Sequence, residues 1–222
     1  MRIVLFDIDG TLLHAKGAGR RAFESAVRAV CGEAGQCGFS FAGMTDRAIA
    51  RRCLRSAGLS DDEASIDALV AAYVARLDDE LTGPTEVEQV PGAQQCLDAL
   101  LHETDRVALG IGTGNVRAGA DRKLRHAGLG HYFRFGGYGC DAEARSDVLR
   151  AGVARGKELF SHAREVVVVG DTLKDVAAAL AIGAACIGIA TGRDTHDHLR
   201  AAGATVTFDD LRDPALQRAL LD

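Results

Sequence analysis

The chain has 222 residues, 47% hydrophobic and 26% charged, a balance typical of globular proteins large enough to bury a sizeable core. Its formal net charge of -5 excludes a general nucleic-acid binder, which carries a basic excess, but leaves an anionic small molecule open because a metal can supply positive charge locally. No apolar run reaches the roughly 18 residues of a membrane span, and the run after Arg2 is broken at Asp7 and Asp9, too early for a signal peptide.

The first predicted strand, 2–6, is an apolar run that ends at Asp7-Ile8-Asp9-Gly10-Thr11. Residues 18–83 then show only helical patterns, over 18–32, 46–57 and 61–81. Thr45 fits an N-cap of the second, and Ser60 with Glu63 fits a capping box at the third. Gly17-Ala18-Gly19 on one side and Gly83-Pro84 through Pro91-Gly92 on the other bracket this stretch with turn signals that suit hinges. Beyond it, strands at 107–111, 133–135, 166–169, 185–189 and 205–208 alternate with helices at 93–103, 116–127, 143–158, 174–182, 194–202 and 213–221. Val166-Val167-Val168-Val169 reads as a strand covered on both faces. The alternation predicts an α/β fold, a doubly wound (Rossmann-like) parallel sheet with an inserted helical cap. The expected boundaries are 1–16 and 84–222 for the core and 17–83 for the cap. The six cysteines form no C-x-x-C pair, and we read them as reduced thiols of a cytoplasmic protein, without structural zinc.

Three turns carry chemistry. Asp7 and Asp9 lie one residue apart where a buried strand meets a glycine turn, and carboxylates so close call for a compensating cation such as Mg²⁺. One of them is then free to act as nucleophile or as acid/base. Gly170-Asp171-Thr172-Leu173-Lys174-Asp175 puts two more carboxylates at another strand end, and together the two turns suggest a three- or four-carboxylate Mg²⁺ site. Gly110-Ile111-Gly112-Thr113-Gly114-Asn115 has the glycine density of a phosphate-binding loop, but Asn115 breaks the G-x-G-x-x-G pattern of a dinucleotide site.

In this order and spacing the motifs resemble the haloacid dehalogenase superfamily over nearly the whole chain. Asp7 through Thr11 look like its first motif, Thr113 like its second, and Gly170-Asp171 through Asp175 like its fourth. The insert looks like the helical cap of subclass I. Gly17-Ala18-Gly19-Arg20, Gly43-Met44-Thr45-Asp46-Arg47 and Thr113-Gly114-Asn115 are similar to the phosphoglycolate-phosphatase-like branch. The resemblance implies that Asp7 attacks phosphorus and becomes an aspartyl phosphate, while Asp9 protonates the leaving alcohol and then deprotonates the hydrolytic water. It implies Mg²⁺ on the Asp7 carboxylate, the Asp9 backbone carbonyl and Asp171, with Asp175 assisting. Thr113 and the Gly114 amide would bind the phosphoryl oxygens, with Gly10, Thr11 and Asn115 as further phosphate-binding positions.

The third motif departs from the family, which places a lysine there. Of Lys16, Lys123, Lys157 and Lys174, Lys123 follows Thr113 too closely and lies in mid-helix. Arg145, at a helix start after the third core strand, is the expected substitute, able to clamp phosphate bidentately, with Lys157 as fallback. In the cap, Thr45, Arg47 and Arg20 are candidates for contacting the leaving group. His14 reads as a hinge residue, and His196 and His198 as a solvated pair.

The expected function is therefore a Mg²⁺-dependent phosphatase of a small phosphate monoester. The expected partners are that substrate alone, with no nucleic acid or membrane, and the expected state is a monomer or homodimer. A phosphomutase keeps the same residues and is the main alternative. A phospho-Asp signalling or binding protein is disfavoured by the insert and by Gly-Asp-x-x-x-Asp. A phosphonate hydrolase should carry a Schiff-base lysine that the cap lacks.

Overall fold

In the computed structural model, which describes residues 1–83 and 86–222, the chain begins with β1 (Arg2–Phe6), β2 (Leu13–His14), α1 (Ala18–Cys31), α2 (Asp46–Ser56) and α3 (Glu63–Leu81). After β3 (Glu88–Gln89) and α4 (Ala93–Leu101) come β4 (Val107–Gly112), α5 (Arg117–His126), β5 (Phe135–Gly137), α6 (Arg145–Leu159), β6 (Glu165–Gly170) and α7 (Leu173–Ala181). The chain ends with β7 (Ala185–Ile189), α8 (His196–Ala201), β8 (Val206–Phe208) and α9 (Pro214–Leu221). The main sheet has the order β5-β4-β1-β6-β7-β8, all parallel, which is the doubly wound arrangement expected from the alternation.

β1 is central, and successive side chains leave it on opposite faces. Val4 and Phe6 pack into a core with Leu97 of α4, Leu124 of α5 and Leu216 of α9. Ile3 and Leu5 pack into a second core with Leu149 of α6, Val176 of α7 and Leu199 of α8. Both faces are therefore dry, and each fully buried Leu, Ile or Phe contributes about 1.5–3 kcal/mol of transfer free energy. The register matters most for function: Phe6 pairs with Ile111 on one side and with Val169 on the other. The three central strands end level, so Asp7, Thr113 and Asp171 emerge at one edge of the sheet, where doubly wound folds bind ligands.

α1, α2 and α3 pack on one another above that edge, with Phe23 of α1 against Tyr73 of α3 at 4.7 Å between ring centroids. The two segments linking them to the sheet pair as a short antiparallel ribbon, β2 with β3, too short to leave a periodic signature. Pro84, half of the expected Gly83-Pro84 breaker, lies outside the described residues.

Three sequence expectations are corrected. The third core strand is displaced from 133–135 to Phe135–Gly137, because Gly136 and Gly137, poor strand formers by composition, occupy it. Gly137 is required there: a Cβ would run into the Val148 carbonyl of α6, which lies directly on the strand. α3 is capped by Asp62, whose carboxylate accepts from the Ser65 amide at 2.8 Å, and Ser60 donates to Asp62 instead of capping the helix. His196 is only partly solvated: its side chain is about a third exposed, and its ring nitrogens lie 2.9 Å from Thr207 Oγ1 and 2.8 Å from Asp209 Oδ1. Thr45 caps α2 by accepting from the Ala48 amide. Among the described residues no helix is long and apolar enough to cross a membrane, and all six cysteines are free.

Candidate active site

Asp7 is the first residue past β1, and its amide still donates to the Val169 carbonyl at 2.9 Å, so its backbone is fixed by the sheet. Gly10 closes the following turn at φ +85°, a conformation that L side chains rarely adopt, and a Cβ there would collide with the Asp171 carboxylate. Asp171 and Asp175 follow β6. Asp175 completes a capping box at α7, with Oδ2 accepting from the Thr172 amide at 3.0 Å and hydroxyl at 2.6 Å. The other oxygen of Asp175 faces inward.

Asp7, Asp171 and Asp175 are all buried, each with a carboxylate oxygen within 4.8 Å of the others. Arg145, the first residue of α6, is the cation among them: Nη2 lies 2.7 Å from Asp7 Oδ2 and 2.5 Å from Asp175 Oδ1. Those pairs are close but poorly aligned, and Arg145 Nε, Arg145 Nη2 and Asp175 Oδ1 have no well-formed hydrogen bond. One guanidinium does not balance three buried carboxylates. Burial, opposed by Arg145 and reinforced by Asp175 and Asp9, pushes the Asp7 carboxyl up to about 6. Burial and the charges of Asp175 and Asp7 push Asp171 well above the usual carboxylate range. This donor set, hard oxygens with an excess of negative charge, fits a divalent cation such as Mg²⁺. Thr11 belongs to the same group, its hydroxyl donating to Asp171 Oδ1 at 3.2 Å.

Asp9 belongs to a different group. Its Oδ2 accepts from Lys123 Nζ at 2.6 Å and from Asn115 Nδ2 at 2.8 Å. Asn115 also donates to Thr113 Oγ1 at 2.9 Å, and Lys123 donates to Asn115 Oδ1 at 2.7 Å. Burial would raise the Asp9 carboxyl, but the Lys123 ammonium and the bonds from Lys123 and Asn115 outweigh it and hold the group below its ordinary range. Lys123 does lie in mid-helix, yet, against the sequence expectation, its ammonium reaches the site. α5 begins at Arg117, and Val116, Gly119, Ala120 and Lys123 form one buried stripe at helical spacing. A lysine on an otherwise apolar stripe was the available signal.

Asp46, at the start of α2, is a second residue that sequence reasoning missed. It is buried, its amide donates to the Gly114 carbonyl at 2.8 Å, and its Oδ2 accepts from the Val116 amide at 2.8 Å. An acidic residue in a first helical turn reads as capping, which hides this contact between the helical layer and the loop after β4.

Between the helical layer and the sheet edge lies a cleft of about 540 Å³, whose lining includes Asp7, Asp9, Thr113, Gly114, Asn115, Lys123, Arg145 and Asp171 at the sheet edge and Phe23, Phe41, Met44 and Ile49 opposite. Thr45 and Arg47 do not line it. The Thr45 hydroxyl donates to the Glu143 carbonyl at 3.1 Å, and Arg47 is paired with Glu63 and Asp67. Arg20 lines the cleft but pairs with Glu24 at 2.8 Å and donates to the Phe39 and Cys37 carbonyls. Lys157, the fallback to Arg145, is exposed near the far end of α6, twelve residues and so about 18 Å along the helix.

No curated protein matches the chain. Several solved structures share its fold. A hydrolase from Pseudomonas syringae superposes with a TM-score of 0.75 at 19% identity, covering 100% of both chains. A predicted phosphoglycolate phosphatase from Haemophilus somnus gives 0.70 at 19% identity, covering 98% of this chain and 97% of its own. A candidate β-phosphoglucomutase from Bacteroides vulgatus gives 0.69 at 18% identity, covering 100% and 90%. The family model for haloacid dehalogenase-like hydrolases matches residues 1–183, a span that takes in both acidic turns, Lys123 and Arg145, and the chain belongs to that family.

Proposed function

We propose that the protein is a Mg²⁺-dependent phosphatase that hydrolyses a small phosphate monoester through an aspartyl-phosphate intermediate on Asp7. The observation that carries this reading is the convergence on one cleft of a buried carboxylate backed by arginine, Asp7, and a second, accessible carboxylate, Asp9, two residues away. Asp7, Asp171 and Asp175 would hold the cation, with the Asp9 carbonyl as a further donor. Bound there, a divalent cation offsets charge on the phosphoryl oxygens in the transition state.

The chain's own residues supply the rest. An Asp7 oxygen attacks phosphorus in line and the bond to the leaving oxygen breaks. Thr113, the Gly114 amide and Arg145 hold the phosphoryl oxygens with donors fixed beforehand. Asp9 gives a proton to the leaving alkoxide, then takes one from the water that cleaves the acyl phosphate and restores Asp7. Asp9 is ionised in the free protein, so the proton for the first half arrives with the ester monoanion or through the open cleft. The apolar wall of Phe23, Phe41, Met44 and Ile49 receives the leaving group. A cleft of about 540 Å³ takes a body larger than a bare phosphate.

The test is phosphate release from a panel of small phosphomonoesters, with Mg²⁺ and with chelator. Metal-dependent release from a few esters is the expected result. Absence of release from every ester, with the protein folded, overturns the phosphatase reading. In that case, transfer of phosphoryl between sugar hydroxyls would identify a mutase.

A further inference from the structure

Lys123 lies outside the segments that resemble the family motifs, yet it is the most buried cation of the cleft, its side chain only 5% exposed. Its partner Asp9 is not buried in the same sense, since 42% of that side chain is open to the cleft. The two donors that hold Asp9, Lys123 Nζ and Asn115 Nδ2, converge on the same oxygen, Oδ2. Among the described residues Oδ1 has no hydrogen-bond partner.

We propose that Lys123 is a positioning residue for Asp9, which with Asn115 fixes Oδ2 and leaves Oδ1 as the oxygen that exchanges a proton with the leaving group. This inference rests on the phosphatase reading above. A free aspartate rotates about its side-chain bonds and presents either oxygen. Two converging donors, one of them charged, remove that freedom, and proton transfer depends on orientation as well as reach.

The surroundings of Lys123 fit such a role. Its ammonium is bonded on one side to Asn115 Oδ1 at 2.7 Å, which also sets the orientation of the Asn115 amide toward Asp9 and Thr113. On the other side Gly19 of α1 comes so close that a Cβ there would lie 3.4 Å from Nζ. The helical layer therefore covers that side of the ammonium. The two site cations divide the work: Arg145 is on the nucleophile side with Asp7 and Asp175, and Lys123 is on the acid/base side.

The experiment compares two leaving groups in single turnover, on the full chain with Mg²⁺. One substrate is p-nitrophenyl phosphate, whose leaving phenolate needs no proton. The other is an alkyl phosphate that the unaltered protein hydrolyses, whose alkoxide does. Lys123→Met is expected to slow alcohol release by about 10- to 100-fold, and to slow p-nitrophenol release at least tenfold less. KM for the two esters should move little beside those rates. Asn115→Ala removes the other donor to Oδ2 and should show the same selectivity in smaller measure. It carries the test if Lys123→Met does not fold. Equal losses on both esters, or no loss on either, overturn the positioning role alone. No hydrolysis of p-nitrophenyl phosphate or of any alkyl phosphate by the unaltered protein overturns the phosphatase reading, and this inference with it.

Discussion

Arg145 Nη2 lies 2.7 Å from Asp7 Oδ2, with both side chains almost wholly buried. The guanidinium is the only cation touching Asp7 among the described residues, and the same nitrogen reaches Asp175. Removing one member of a buried ion pair leaves its partners uncompensated. Arg145→Ala is therefore expected to lower kcat/KM by about 100-fold or more and to reduce thermal stability without Mg²⁺. Arg145→Lys should recover only part of the activity, since an ammonium lacks the planar fork. Lys157→Ala, about 18 Å further along α6, should leave kinetics unchanged. Steady-state kinetics of the three variants on one ester check the assignment.

Asp7→Asn is expected to abolish turnover, with a loss of about 10³-fold or more, because an amide is no nucleophile toward phosphorus. The same substitution should remove the phosphoenzyme seen by mass spectrometry after an acid quench of the unaltered protein. Asp9→Asn should still form the phosphoenzyme from p-nitrophenyl phosphate but clear it slowly. A phosphoenzyme that persists in Asp7→Asn would place the nucleophile elsewhere.

Thr11, a phosphate-binding position by resemblance, has its hydroxyl on Asp171 Oδ1 in the structure. A partner of that kind orients a metal-ligating carboxylate, and its loss typically weakens metal binding by about 10- to 100-fold. Thr11→Val keeps the shape of the fully buried side chain and removes only the hydroxyl. Calorimetric titration of the protein with Mg²⁺, without substrate, should show that loss. An unchanged affinity would detach Thr11 from the metal site.

Much of this arrangement was legible in the sequence because the elements that carry it are local. The strand ends at Asp7 and Asp171 follow uninterrupted apolar runs, and the glycines after β4 mark their own turn. Arg145, which the structure places beside Asp7 and Asp175, stands out because a helix start after the third core strand is a recognisable place, even with that strand displaced by two residues. The misses are long-range contacts. Lys123 meets Asp9 across 114 residues and Asp46 meets Val116 across 70, and nothing in the local pattern of α5 or α2 announces either partner. Arg47 shows the same limit from the other side: its charge is visible in the sequence, but not its ion pairs with Glu63 and Asp67 on the neighbouring helix.

Asp46 supplies a pH dependence whose sign can be worked out. Burial pushes its carboxyl from 3.8 up to about 7, with nearby Asp9 adding to the rise and Lys123 and the Val116 amide opposing it. Tyr73, whose hydroxyl borders the same space, stays neutral because burial raises it too. A carboxyl raised on folding binds its proton more tightly in the folded state. Its contribution to stability is full below about pH 4 and is lost as pH rises through about 7. Asp46→Asn keeps a carbonyl oxygen for the Val116 amide but has no proton to lose. The variant should match the unaltered protein near pH 4 and exceed it by up to about 4 kcal/mol at pH 8. Urea denaturation at the two pH values reads the difference directly. A gap that does not change with pH would mean that Asp46 is not the titrating group. A variant less stable at both pH values would mean that the carboxylate itself, drawn to Lys123, holds the helical layer to the loop after β4.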